Sequence, residues 1–325
     1  MVLESTMYQP TLQTSYTYEK LLERVMYMHE IDAGTIPVID TPTLQSSAML
    51  LSIHISMYTG RKSDKKTREQ VISASGAGSK AAASVYKSLF AGDADLDAIN
   101  TFQAKARRDI AAMTLPWSDA GVRLVSTKNF FEVSALLSSL RHEFSALVSN
   151  FVTGYSIKVS NAAFALGDLF DRNEYPDPVD IAHKFSFSYS FEPVPSVNDF
   201  RVDLHNEAID MLKTHYTNTT EQRLQTAMQD VWERVIDEAT RLRDKMIVPE
   251  EGKRPRIFAS TFSGFQDLIG SLEALNITND PNLEDARVQL KNALDPVDLD
   301  SIRESPEVRG AVKEQMQRVL DKFAY

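Results

Sequence analysis

Arg61, Lys62, Lys65, Lys66 and Arg68 stand within a single stretch of eight positions, and cations clustered this closely can neutralise several phosphates at once. Tyr58 and Tyr86 flank the stretch, and their rings offer platforms on which unpaired bases could stack. Lys80 and, further along, Arg107 and Arg108 are candidates to extend the same surface. The competing reading is a solvated basic loop that balances an acidic molecule.

Within the same basic region lies Gly76-Ala77-Gly78-Ser79-Lys80, followed by the alanine-rich run Ala81-Ala82-Ala83. The pattern predicts a glycine turn opening a helix, where free backbone amides and a lysine could hold an anion. It is not a Walker motif, which needs four residues between its first glycine and Gly-Lys, a leading apolar strand and a later acidic strand end for magnesium. A second candidate is the loop from Thr114 to Leu124, in which Trp117, Asp119 and Arg123 surround Gly121. Loops with such residues often carry function, although an indole at a turn also serves to plug the core beneath it.

Chemistry of other kinds is harder to assemble. The histidines at positions 29, 54, 142, 183, 205 and 215 are scattered, and none makes the paired spacing of a zinc hydrolase. Asp168, Asp171, Asp177 and Asp180 fall at predicted helix ends and loops, where capping is their ordinary role. There is no Gly-x-Ser-x-Gly elbow and no set of kinase motifs. No catalytic residue, metal ligand or cofactor is therefore expected.

The elements that position these residues follow from hydrophobic spacing. Helical periods cover Tyr18 to Ile31, Leu96 to Met113, Phe130 to Phe151 and Ser160 to Phe170. After Pro42, the segment Leu44 to Tyr58 reads as helix in its first half and extended chain in its second, because Ile53, Ile55 and Met57 alternate with polar neighbours. Phe185, Phe187, Tyr189 and Phe191 alternate with serines and predict a strand with one aromatic face on helices and one serine face open. Phe200 to Leu204 alternates again and predicts a hairpin partner for it. Downstream, Thr219-Thr220-Glu221-Gln222 offers a capping box for a helix whose stripe runs from Leu224 to Met246. The basic linker Lys253-Arg254-Pro255-Arg256 follows, then shorter helices at Phe262 to Leu275, Leu283 to Leu294 and Glu307 to Phe323, the last capped by Ser305. The expected fold is α+β, predominantly α-helical, with a small antiparallel β-hairpin in the middle of the chain. The expected division is 1–205, mainly helical and ending in the hairpin, and 206–325, an acidic helical region.

Composition bounds these readings. In 325 residues there are 35 basic and 45 acidic side chains, giving a net charge of −10, and no cysteine. That balance excludes a protein coated all over with nucleic acid, and the missing thiols exclude disulfides, thiolate metal sites and cysteine nucleophiles together. Yet Thr59 to Phe90 carries a local net charge of +5, and Asp203 to the end carries −7. The first residues lack the basic flank and apolar run of a signal peptide, and no apolar stretch approaches the ~20 residues that span a bilayer. A cytoplasmic protein without membrane contact is expected.

Several groups of residues together resemble a known family. Thr59-Gly60-Arg61-Lys62 with Asp64-Lys65-Lys66, then Thr114-Leu115-Pro116-Trp117 with Gly121 and Arg123-Leu124, then Tyr175-Pro176 with Lys184-Phe185, and Asp199-Phe200-Arg201-Val202 resemble the phage, plasmid and integrative-element family known as domain of unknown function 3150. The resemblance covers roughly residues 40 to 245. It implies no established activity and no catalytic residues. It does imply company: such proteins are encoded near a MoxR-type AAA+ ATPase and a von Willebrand A-type protein, and in some elements near single-strand-binding and recombination genes. The function this suggests is a non-catalytic accessory or adaptor protein of phage or mobile-element DNA metabolism in a bacterial host cell, partnered by an AAA+ ATPase or another phage or host protein. Two alternatives stand beside it: a single-stranded DNA-binding protein using residues 61–68, and a metal-dependent nuclease or phosphohydrolase with carboxylates drawn from distant positions. Self-association into a homo-oligomer is compatible with all three.

Overall fold

β1 (Ala48–Ser56) follows directly on helix α1 (Thr41–Ser47), so the segment after Pro42 is helix and then strand, as its spacing predicts. The computed structural model describes residues 41–79, 81–197, 206–247 and 258–323. The predicted helix at Tyr18 to Ile31, the predicted strand at Phe200 to Leu204, the basic linker 253–256 and Lys80 lie outside these residues.

β1 is central in a four-stranded antiparallel sheet of order β4-β5-β1-β6. Its partners are β5 (Arg123–Ser126), paired as Leu50 with Leu124, and β6 (Ser186–Pro193), paired as Ile53 with Tyr189 and Ile55 with Phe187. β4 (Leu115–Pro116) adds the outer strand beyond β5. The aromatic strand is therefore present, and its described partner is β1; the predicted hairpin partner, Phe200 to Leu204, lies outside the described residues. Periodicity identifies a strand without naming its neighbour, and a distant apolar strand in register meets the same demand as a hairpin partner.

Because side chains alternate across a sheet, this register gathers Leu51, Ile53, Ile55, Phe187, Tyr189 and Phe191 on one face. That face packs on α3 (Ala94–Met113) and α4 (Phe130–Thr153). Phe144 of α4 meets Phe102 of α3 at 5.4 Å between ring centroids and Phe187 of β6 at 6.0 Å, while Phe130 meets Phe191 at 5.1 Å. Such tilted and edge-on pairs each add about 0.5–1.5 kcal/mol beyond burial. The opposite face carries Ser186, Ser188, Ser190, His54 and Ser56, all exposed, in agreement with the predicted alternation.

α3 and α4 follow the sequence closely. Asp93 caps α3 through its side chain, and Leu96, Ile99, Phe102, Ala106 and Ile110 form its buried stripe. Ser126 caps a single turn, Thr127–Asn129, that leads into α4. α5 (Tyr155–Leu166) follows one residue later, and α6 (Pro178–Ile181) is a single turn before β6.

Two helix starts fall elsewhere than predicted. Gly76 has φ +66°, and the amides of Ser75, Gly76 and Ala77 bond back to Val71, Ser73 and Ile72. The glycine turn thus closes α2 (Lys65–Ala74) instead of opening a helix, and the alanine run beyond it is irregular chain leading to β3 (Tyr86–Ser88). Likewise Thr219 and Thr220 start nothing. They sit inside α7 (Asn206–Met246), where the Thr219 hydroxyl donates to the carbonyl of His215, four residues back.

The contacts divide the chain within α7, between Ala227 and Met228, whereas pattern and charge placed the change at 205. One unit is Gln45–Ala227. In the other, α9 (Pro281–Leu294) packs against α8 (Ala259–Leu275) and α11 (Pro306–Phe323), with the short α10 (Leu299–Glu304) also against α11. There Trp232 stacks on Phe323 at 5.5 Å and its indole N–H donates to Asp280 at 3.3 Å. Among the described residues no helix is long and apolar enough to cross a membrane. The architecture is α+β and predominantly helical, as the spacing predicts.

Candidate functional site

β2 (Arg61–Ser63) and β3 form a separate two-stranded ribbon, paired as Arg61 with Ser88, Lys62 with Lys87 and Ser63 with Tyr86. Gly60 launches it with φ +61°, and a Cβ there would come within 2.8 Å of Leu96 on α3. Only glycine tolerates both the left-handed backbone and that approach. Asp64 then ends the ribbon and caps α2: its carboxylate accepts from the Thr67 amide at 3.0 Å and the Thr67 hydroxyl at 2.6 Å. These bonds hold its pKa below the usual carboxylate range.

The register sorts the basic side chains. Arg61 shares a ribbon face with Tyr86, which is 65% exposed, so a cation and an open ring lie on the same side of the ribbon. Lys62 shares the other face with Lys87, whose ammonium is held by Glu174 at 2.6 Å and by the Leu169 carbonyl at 2.7 Å. Lys65 and Lys66 are exposed in the first turn of α2, directly after the capping carboxylate of Asp64. A helix start is electropositive, so cations placed in it weaken the helix while strengthening the local positive field. Arg61, Lys62, Lys65, Lys66 and Arg68 make no ion pair among the described residues, and Arg68 is half-buried with its Nε unpartnered.

Other predicted members belong elsewhere. Tyr58 is turned inward, its ring edge-on to Phe90 at 6.3 Å and to Phe185 at 6.5 Å, so it offers no stacking platform. Its hydroxyl is buried without a partner among the described residues, and burial, reinforced by Tyr155, Tyr175 and Glu174, raises its pKa strongly. Arg107 and Arg108 are exposed on α3, but Gly60 abuts Leu96, and the rise of the helix places these arginines about 17 Å further along it. They do not join the ribbon. The amides of Gly76 and Ala77 are spent on closing α2, and among the described residues no helix begins between the turn and β3, so Gly76 to Ser79 lacks the helix start of the predicted phosphate cradle.

The Trp117 loop is also structural. Trp117 is buried, with the Arg223 guanidinium 5.8 Å from its ring centre. Arg123 donates from Nε to the Thr114 hydroxyl at 2.9 Å and from Nη2 to the carbonyls of Thr114 at 2.8 Å and Ala111 at 3.3 Å, closing the C-terminal end of α3. Asp119 alone of the three is exposed. Among the described residues no group of three His, Asp or Glu side chains could hold a metal ion.

Sequence reasoning passed over a second surface. Phe164 is 89% exposed, Val179 76% and Ile157 69%, all on α5 and α6. Phe164 lies seven residues after Ile157, two full turns on, but the spacing predicts a helix only from Ser160, so Ile157 and Phe164 do not fall on one predicted helical face. The fold and this geometry define a helical α+β protein with a cation-bearing ribbon. Beyond that class the chain stands alone: no family model, no curated protein and no solved structure matches it.

Proposed function

We propose that the chain is a non-catalytic accessory protein of phage or mobile-element DNA metabolism that holds single-stranded DNA on the β2–β3 ribbon and the first turn of α2. The observation that carries this reading is the set Arg61, Lys62, Lys65 and Lys66, exposed and without an ion pair among the described residues, with the open ring of Tyr86 on the same ribbon face as Arg61, in a molecule of net charge −10. Cations gathered at one place in an acidic protein cost stability there and attract a polyanion. Arg61 and Tyr86 together offer one phosphate contact and one stacking contact, the alternation that an unpaired strand presents. The association with a MoxR-type AAA+ ATPase and a von Willebrand A-type protein rests on the family resemblance.

The test is fluorescence anisotropy with labelled single-stranded and duplex DNA across a salt series. With four phosphates neutralised, the logarithm of affinity for single strands should fall with log salt at a slope of about −3. The variant R61E/K62E/K65E/K66E should lose binding, and Tyr86→Ala should weaken it by ~1–3 kcal/mol. No binding at low salt, or a slope unchanged in the charge-reversed variant, removes this reading.

A further inference from the structure

Beside Phe164 lies an open hollow of about 480 Å³, a size within the range of ~300–1,000 Å³ that single small ligands fill. Its lining is of two kinds. Phe164, Phe170 and Tyr155 bring rings, and Val159, Ala163 and Pro178 complete the apolar part. Ser156, Ser160 and Arg172 bring polar groups, and no carboxylate is among the lining residues, so Arg172 supplies its only charge.

The rings are held differently. Tyr155 is buried, with its hydroxyl spent on the Pro176 carbonyl at 2.9 Å. Phe170 is half-buried and lies tilted against Tyr175 at 5.1 Å between centroids, which fixes its position. Phe164 is 89% exposed, so its face is open to a stacking partner. Arg172 donates from Nη1 to the Tyr175 carbonyl at 3.1 Å and forms no ion pair among the described residues. A guanidinium has five N–H groups, so one anchoring bond leaves donors for an anion.

The hollow adjoins the ribbon. Lys87, on the same ribbon face as Lys62, donates to the Leu169 carbonyl at 2.7 Å, and Phe170 is the next residue. Glu174 holds the same ammonium at 2.6 Å. The segment that carries Phe170 and Arg172 is thereby tied to β3, next to the exposed Lys62.

We infer that the hollow takes one unpaired nucleotide of the strand bound on the ribbon, its base against Phe164 and Phe170 and its phosphate on Arg172. Open rings and a guanidinium beside a cationic ribbon match the base and phosphate of a nucleotide splayed out from a single strand. The inference rests on the single-strand reading of the ribbon and adds a place for one base.

The test uses the full chain and a short single strand carrying iodouracil, which crosslinks under ultraviolet light to an aromatic side chain stacked on it, with mass spectrometry to locate the adduct. Adducts should fall on Phe164 or Phe170 as well as on Tyr86. Phe164→Ser, at an exposed position, should lower affinity for the strand about tenfold. Arg172→Gln should reduce the salt slope by about 0.7, one phosphate contact fewer, whereas Arg172→Lys should keep it. Thermal melts verify that each variant folds. Adducts confined to Tyr86, with affinity and salt slope indifferent to Phe164→Ser and Arg172→Gln, overturn this inference and leave the ribbon reading standing. Failure of the ribbon reading looks different: R61E/K62E/K65E/K66E then binds as the unaltered chain does, and adducts at Phe164 and Phe170 persist undiminished. Iododeoxyuridine monophosphate giving the same adducts at the same concentration as the strand also overturns the inference, because a free nucleotide would then be the occupant.

Discussion

Arg123 shows how one side chain can carry an element boundary. The last carbonyls of a helix run short of backbone donors; the Ala111 carbonyl takes the Thr114 amide at 3.4 Å, and a single guanidinium adds donors to the carbonyls of Ala111 and Thr114 and to the Thr114 hydroxyl. Arg123→Met keeps the bulk and removes all three bonds. It should lower stability by ~2 kcal/mol in urea unfolding, with DNA binding by the refolded protein unchanged. The tyrosines act differently. Tyr175 donates to the Leu89 carbonyl at 2.8 Å and Tyr155 to that of Pro176 at 2.9 Å, and burial pushes the Tyr175 pKa up to about 12. Tyr58 and Tyr155 are raised as well, chiefly by burial. A phenol whose folded pKa is raised stabilises the fold fully below its ordinary value near 10, and that stabilisation drains away as the pH climbs toward 12. Alkaline titration should therefore show part of the phenolate absorbance appearing only with unfolding, above pH 10. Smooth titration of all tyrosines with native circular dichroism intact would contradict this.

At the scale of elements, α4 holds its place through an inward stripe, and its two kinds of phenylalanine should differ sharply. Phe144 is 4% exposed between Phe102 and Phe187, whereas Phe131 is 79% exposed. Phe144→Ala should cost about 3–5 kcal/mol and Phe131→Ala less than about 0.5 kcal/mol in denaturant melts. α3, α4 and the aromatic strand were legible because their apolar residues repeat at 3.6 or at 2 without interruption. The β2–β3 ribbon was not, since three-residue strands carry no period. The capping box misled because threonines also bond back to the preceding turn inside a helix. The glycine turn misled because a positive φ serves helix ends as readily as helix starts. Of the candidate site, the basic cluster could be read as charge, but only the folded contacts show that Lys87 is spent, that Tyr58 faces the core and that Arg123 is a cap.

Across the whole molecule the charge is acidic and its exceptions are local. A net +5 between Thr59 and Phe90 within a chain of −10 concentrates the positive side chains on one ribbon and one helix start. Another exception is apolar rather than ionic, the ridge of Phe164 and Ile157. The ridge was not visible as a surface in the sequence, because it depends on which side chains the core has already claimed. The central position of β1 has a further cost that is paid in time. Its partner β6 lies about 130 residues downstream, so at ~5–20 residues per second a ribosome needs on the order of ten seconds to deliver it. Through that interval Met49-Leu50-Leu51-Ser52-Ile53 has left the ribosome with its aromatic neighbour not yet made. Until Ser186 to Pro193 emerges, the β1 edge that pairs with it stays open.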